Sequence, residues 1–134
     1  MAGSKDIGGS TGFTAREVQA ADGGSRVYAL AGVFTNCPPA YDFLNHLRAE
    51  LGDIQGGVIL DLTEVIHMTS GGVGMLAALF MAAREAGCPM FITGMHSRLT
   101  SIMKVTGLAP VIPSRETMDD ALAAVKEARQ ASGG

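Results

Sequence analysis

The chain has 134 residues, 47% of them hydrophobic and 17% charged, with a formal net charge of −3. That length excludes a two-domain enzyme, and folding at this size buries roughly two thirds of the chain's surface, enough for one core without metal or disulfide staples. A mildly acidic balance with no Lys/Arg cluster excludes the electrostatic footprint of a nucleic-acid binder, and two cysteines, Cys37 and Cys88, without CxxC spacing point to a reducing, cytoplasmic setting.

The first twelve residues, MAGSKDIGGSTG, have neither the apolar run nor the basic start of a signal peptide and read as a flexible lead-in over 1–12. Phe13 to Ala20 alternates loosely and ends at Ala-Asp-Gly-Gly, a turn signal, before a second extended run from Arg26 to Ala31. Together they predict a hairpin. Pro38-Pro39 opens a helix over about 39–51, with Tyr41, Leu44, Leu47, Arg48 and Leu51 at helical spacing up to Gly52. The run Gly57-Val-Ile-Leu-Asp-Leu62 is continuous and apolar, the pattern of a strand buried on both faces. From Ser70 the spacing of Val73, Leu76, Ala77, Phe80 and Met81 is helical, with Gly87 as the stop. Pro89 to Thr93 reads as another buried strand, and Ser97 caps a helix to about Thr106. Val111-Ile112 is a short edge strand. Thr117-Met-Asp-Asp120 opens a last helix with Ala121, Leu122, Val125 and Ala128 on its apolar face. Residues 131–134 form a flexible tail. A hairpin followed by alternating helices and strands predicts an α/β domain: a mixed, mostly parallel sheet of about five strands with four helices mainly on one face.

Between Glu64 and Arg84 no residue is charged, close to the ~20 residues of a membrane span. His67, Thr69, Ser70, Gly71, Gly72 and Gly74 break that stretch, so no span is expected. Enzyme motifs are absent as well. His46, His67 and His96 have no metal-ligand spacing, so no metal site is expected. There is no G-x-S-x-G elbow. Gly72-Val-Gly74-Met-Leu-Ala77 matches the form of a dinucleotide fingerprint, but it follows its strand by about ten residues and lacks the acidic residue that should come some twenty positions later. No cofactor is expected.

The informative segment is therefore the junction from Val65 to Gly74. Ser70 stands at or beside the start of an unusually apolar helix, and two readings share that geometry. Its hydroxyl can cap the helix. Alternatively, the N–H groups and dipole of the helix start would stabilise a phosphate on Ser70, with Gly71 and Gly72 leaving the backbone uncrowded. Such a phosphate would place nearly two negative charges beside Met68, Val73 and Met75 and disrupt an apolar partner surface. Residues 71–83 carry no charge, and a helix that is apolar nearly all round needs cover on more than one side, from a partner or a second copy in a homodimer.

From Phe13 to Arg129 the chain resembles a STAS domain of the bacterial anti-sigma factor antagonist family. The stretch Val58-Ile-Leu-Asp-Leu-Thr-Glu-Val-Ile-His-Met-Thr-Ser-Gly-Gly-Val-Gly74 is similar to the family's hydrophobic strand followed by Asp-Ser-Ser-Gly-Leu-Gly. Leu30-Ala-Gly-Val-Phe-Thr35 and Met103-Lys-Val-Thr-Gly-Leu108 resemble two further family segments. The resemblance implies one STAS domain over 13–130 that catalyses nothing and acts by partner switching. The unphosphorylated protein binds an anti-sigma factor that is also a serine kinase of the histidine-kinase-like ATPase type, releasing a sigma factor; phosphorylation breaks that complex and a phosphatase resets it. Ser70 falls on the family's phosphoacceptor. The implied partner surface comprises Thr35, Asn36 and Cys37, the junction Met68, Thr69, Gly71, Gly72 and Val73, and the first turns of the helix with Met75 and Leu76. Two family acidic groups are replaced, by Thr69 and by Thr35 or Asn36, which makes Thr69 a rival acceptor. The same replacements motivate the alternative of a constitutive adaptor in a stress-signalling or lipid-transport ABC assembly.

Overall fold

A computed structural model describes residues 4–9 and 12–133. Five strands form one sheet in chain order: β1 (Ser4–Gly9), β2 (Phe13–Gln19), β3 (Arg26–Phe34), β4 (Val58–Met68) and β5 (Met90–Thr93). The β1–β2 and β2–β3 pairs are antiparallel, whereas β3–β4 and β4–β5 are parallel. Four α-helices accompany them: α1 (Pro38–Glu50), α2 (Ser70–Glu85), α3 (Ser97–Val105) and α4 (Met118–Gly133), with a short 3-10 turn at Leu51–Asp53 after α1.

Strand alternation decides which helix lies where. Along β4, Val58, Leu60 and Leu62 point to the face covered by α1, α2 and α3, and Ile59 points to the other. There Ile59 joins Val27, Phe91 and Ala20 under Ala121, Ala124 and Val125 of α4. Burial on both faces is what a continuous Val-Ile-Leu run requires, each such side chain contributing ~1.5–3 kcal/mol. Three helices thus share one face and one takes the other. Arg129 fastens α4 in place by donating to the carbonyls of Gly56 (2.7 Å), Ile54 (3.3 Å) and Gly87 (3.4 Å).

The hairpin, the four helices and the two buried strands stand where the sequence predicts them, with five differences. Residues 4–9 of the expected lead-in pair with β2 as an edge strand, which backbone bonds make without an apolar repeat; residues 1–3, 10 and 11 lie outside the described set. The strand beginning at Val58 runs six residues past Leu62, because irregularities in its pairing with β3, between Ala29 and Ala31 and between Gly32 and Val33, break the alternation that would reveal it. Val111-Ile112 forms no strand: both amides turn back to the Leu108 carbonyl (2.9 and 3.0 Å), and only Ser114 bridges to Ile92. Ser97 lies inside α3, whose N-cap is His96 without a side-chain cap bond; the His96 ring Nε2–H donates instead to the Val65 carbonyl (2.9 Å). Finally, α4 continues to Gly133 through the expected tail, residue 134 lying outside the described set. At its start Thr117 does cap, its Oγ1 accepting from Asp120 N (3.0 Å).

Candidate functional site

The two crossovers β3–α1 and β4–α2 bring their helix starts side by side at the C-terminal ends of the parallel strands. β3 ends at Phe34, and Thr35, Asn36 and Cys37 lead into α1, where Cys37 is the N-cap and its carbonyl accepts from Ala40 N (3.0 Å) and Tyr41 N (3.2 Å). β4 ends at Met68, and Thr69 N donates to the Phe34 carbonyl (3.1 Å), tying one junction to the other. The structure therefore unites Thr35–Cys37 with Thr69–Gly71, segments more than thirty positions apart.

Which hydroxyl caps α2 is now explicit. Thr69, not Ser70, is the N-cap: its Oγ1 accepts from Gly72 N (3.1 Å) and donates to the Phe34 carbonyl at 3.4 Å. Ser70 is the first helical residue, exposed, and its Oγ has no hydrogen-bond partner among the described residues. One hydroxyl is thus committed to the fold and its neighbour is free.

The glycines serve a different purpose from the open space expected of them. A Cβ on Gly72 would run into the Phe34 carbonyl oxygen, and one on Gly71 would strike the Asn36 side-chain amide. They let the start of α2 press against the β3–α1 loop. Gly74 is the exception, with nothing near its Cβ position.

Burial divides the implied partner surface. Met68 (2% exposed), Val73 (7%), Met75 (4%) and Leu76 (0%) are core residues, and Gly72 is buried too. None of these five offers a side chain to a partner in this conformation. The uncharged stretch 71–83 hid this: with every position neutral, nothing in the sequence separates the inner face of α2 from the outer. What faces solvent is Asn36, half-buried Thr35 and Cys37, then Ser70, Gly74 and Met81 (45%). Gly74 and Met81 lie at offsets of four and eleven from Ser70, which places both on its face.

No Asp, Glu, Lys or Arg occurs in 35–41 or 65–83, so neither of the two segments that meet at this junction brings a carboxylate, ammonium or guanidinium to it. First-turn N–H groups of α2 have no intrahelical acceptor, and they supply the positive potential there. Among the described residues no group of three or more His, Cys, Asp or Glu side chains could hold a metal, and no helix is long and apolar enough to cross a membrane.

Comparison with known proteins agrees with this architecture. A family model described as STAS domain matches residues 35–121. An anti-sigma-B factor antagonist of Listeria monocytogenes is 32% identical over 65 residues, covering 47% of this chain and 57% of that protein, and its Listeria innocua counterpart matches equally. The chain thus matches little more than half the length of these curated relatives. The crystal structure of an anti-sigma factor antagonist from Mycobacterium paratuberculosis superposes with a TM-score of 0.70 at 21% identity, covering 90% of this chain and 99% of that one. A sulfate transporter family protein from Wolinella succinogenes gives 0.64 at 19% identity, over 84% and 97%. At these identities the structural likeness is one of fold.

Proposed function

Because the chain belongs to the STAS domain family, we propose that it is an anti-sigma factor antagonist: a binding domain rather than a catalyst, whose unmodified form sequesters an anti-sigma factor and thereby frees a sigma factor. The partner is a serine kinase of the histidine-kinase-like ATPase type, and phosphorylation of Ser70 ends the complex. The observation that carries this reading is the division of labour at the start of α2. Thr69 already caps the helix, so the exposed Ser70 hydroxyl has no structural duty. A phosphate there would gain the helix dipole and meet no carboxylate from either segment of the junction, adding charge without breaking the fold. Thr69 is the poorer acceptor, since modifying it would remove the cap.

A constitutive adaptor is the second reading, favoured by the absence of any acidic group beside Ser70. Reconstitution separates the two. Incubation with the host kinase and ATP, followed by peptide mapping, is expected to find phosphate on Ser70. Ser70→Ala should hold the kinase through repeated ATP addition, and Ser70→Asp should fail to bind it. Equal binding by both variants, or phosphate on another residue, would reject phosphoregulation at this site and leave the adaptor.

A further inference from the structure

Beside β5, between the C-terminal halves of α2 and α4, lies an apolar groove of about 370 Å³, within the ~300–1,000 Å³ of small-molecule sites. Phe80 of α2, Ala128 of α4, Pro89 and Pro113 wall it, and Met90 and Phe91, 2% and 8% exposed, form its floor. The polar backbone around it is already spent. Pro89 and Pro113 have no N–H, and their carbonyls accept from Val58 N (2.8 Å) and Ile92 N (3.1 Å). The Gly87 carbonyl accepts from Arg129 Nη1 (3.4 Å), and the amides of Gly87 and Cys88 close the end of α2 on Arg84 O (3.0 Å) and Ala83 O (2.9 Å). Residues 113–115 already run along β5, Arg115 N donating to Ile92 O (2.9 Å), so no further strand can add there.

One charge lines the groove among the described residues. Arg84 stands exposed at the rim without an ion pair, and burial pushes the Cys88 thiol up, so that it stays neutral. Such a surface suits a hydrocarbon body free of internal hydrogen-bonding groups, with one anionic end. We propose that the groove binds a free medium-chain fatty acid as its carboxylate, the chain lying along Met90 and Phe91 and the head on the Arg84 guanidinium. Nucleotides, sugars and peptides would each bury polar groups for which these walls offer no partner. A two-chain phospholipid would leave its second chain in water. The site is at the opposite end of α2 from Ser70, about 20 Å away at 1.5 Å per residue and beyond the ~8 Å Debye length of physiological salt. It is therefore separate from the switch proposed above.

Amide chemical shifts of the nitrogen-labelled chain, followed while sodium decanoate is added below its micelle concentration, test the idea. The expected result is saturable movement confined to the groove, led by Gly87, Met90, Phe91 and Ala128. Octanoate, two methylenes shorter, should bind about fifteenfold more weakly than decanoate. 1-Octanol, which has the chain without the charge, should bind about tenfold more weakly than octanoate, and Arg84→Glu should lose about tenfold for decanoate, the scale of one charge-assisted bond. The proposal is overturned if the shifts fail to saturate or spread over the whole surface, if chain length or the carboxylate makes no difference, or if Arg84→Glu binds unchanged. It is equally overturned if the groove amides move on raising the protein concentration alone, which would make a second copy of the chain the occupant.

Discussion

Replacing Thr69 with alanine removes the one side-chain cap at the start of α2, the Oγ1 that accepts from Gly72 N at 3.1 Å. Loss of a Thr cap costs ~1 kcal/mol, within a range of about 0.5–2. The second bond of that hydroxyl, to Phe34 O at 3.4 Å, is long enough to add little. With an unfolding entropy of about 2 cal/mol/K per residue, a chain of 134 residues should lose about 3–4 °C in Tm. Ser70→Ala deletes a hydroxyl with no bond to lose and should stay within ~0.5 kcal/mol of the parent. Thr69→Asp restores an acceptor and sets a negative charge against the helix dipole, worth roughly 0.3–1 kcal/mol, so it should match or exceed the parent. Urea denaturation followed by circular dichroism measures all three variants with one protocol. If Ser70→Ala proved the costly change and Thr69→Ala the silent one, the cap assignment would be wrong, and with it the argument that Ser70 is free for modification.

The glycines of α2 should behave oppositely under the same denaturation assay. Gly72→Ala drives a methyl into the Phe34 carbonyl and should destabilise by ~1–3 kcal/mol, while Gly74→Ala, with open space around it, should stabilise by roughly 0.5–1 kcal/mol. A lower urea midpoint for Gly74→Ala would contradict the open space seen there. Burial, reinforced by the Glu17 charge, pushes the Tyr28 hydroxyl up from the ordinary tyrosine range to about 12. The unfolded chain therefore releases this proton first, so the Tyr28 contribution to stability is intact below pH ~10 and is lost as the pH rises toward ~12. Tyr28→Phe should flatten that part of the pH–stability profile. An unchanged alkaline profile in the variant would assign the loss to another group.

Most of the architecture could be read before any coordinates because local pattern and tertiary demand agree. The Ala-Asp-Gly-Gly turn, the Val-Ile-Leu run and the Thr117 cap each have one physical meaning. The signal fails where backbone geometry overrides side-chain pattern. Thr63, Glu64, Ile66 and His67 look like loop, yet they belong to β4 because its irregular pairing turns them outward. Val111 and Ile112 look like strand, yet their amides are spent on Leu108. At the site, Thr69 and Ser70 are both competent caps, and only the direction in which β4 delivers the chain decides between them. The neutral composition of α2 conceals its buried face, which is why Val73, Met75 and Leu76 read as surface.

Because neighbouring strands in the sheet are always consecutive in the chain, the molecule can be assembled from its amino-terminal side as it leaves the ribosome, each strand docking on the one before without waiting for a later segment. The exception is the last element. Until α4 emerges and Arg129 reaches the Gly56 carbonyl, one side of Val27, Ile59 and Phe91 has no cover. A chain truncated just short of Thr117 would keep all five strands but leave Val27, Ile59 and Phe91 bare on that side, an apolar face open to aggregation.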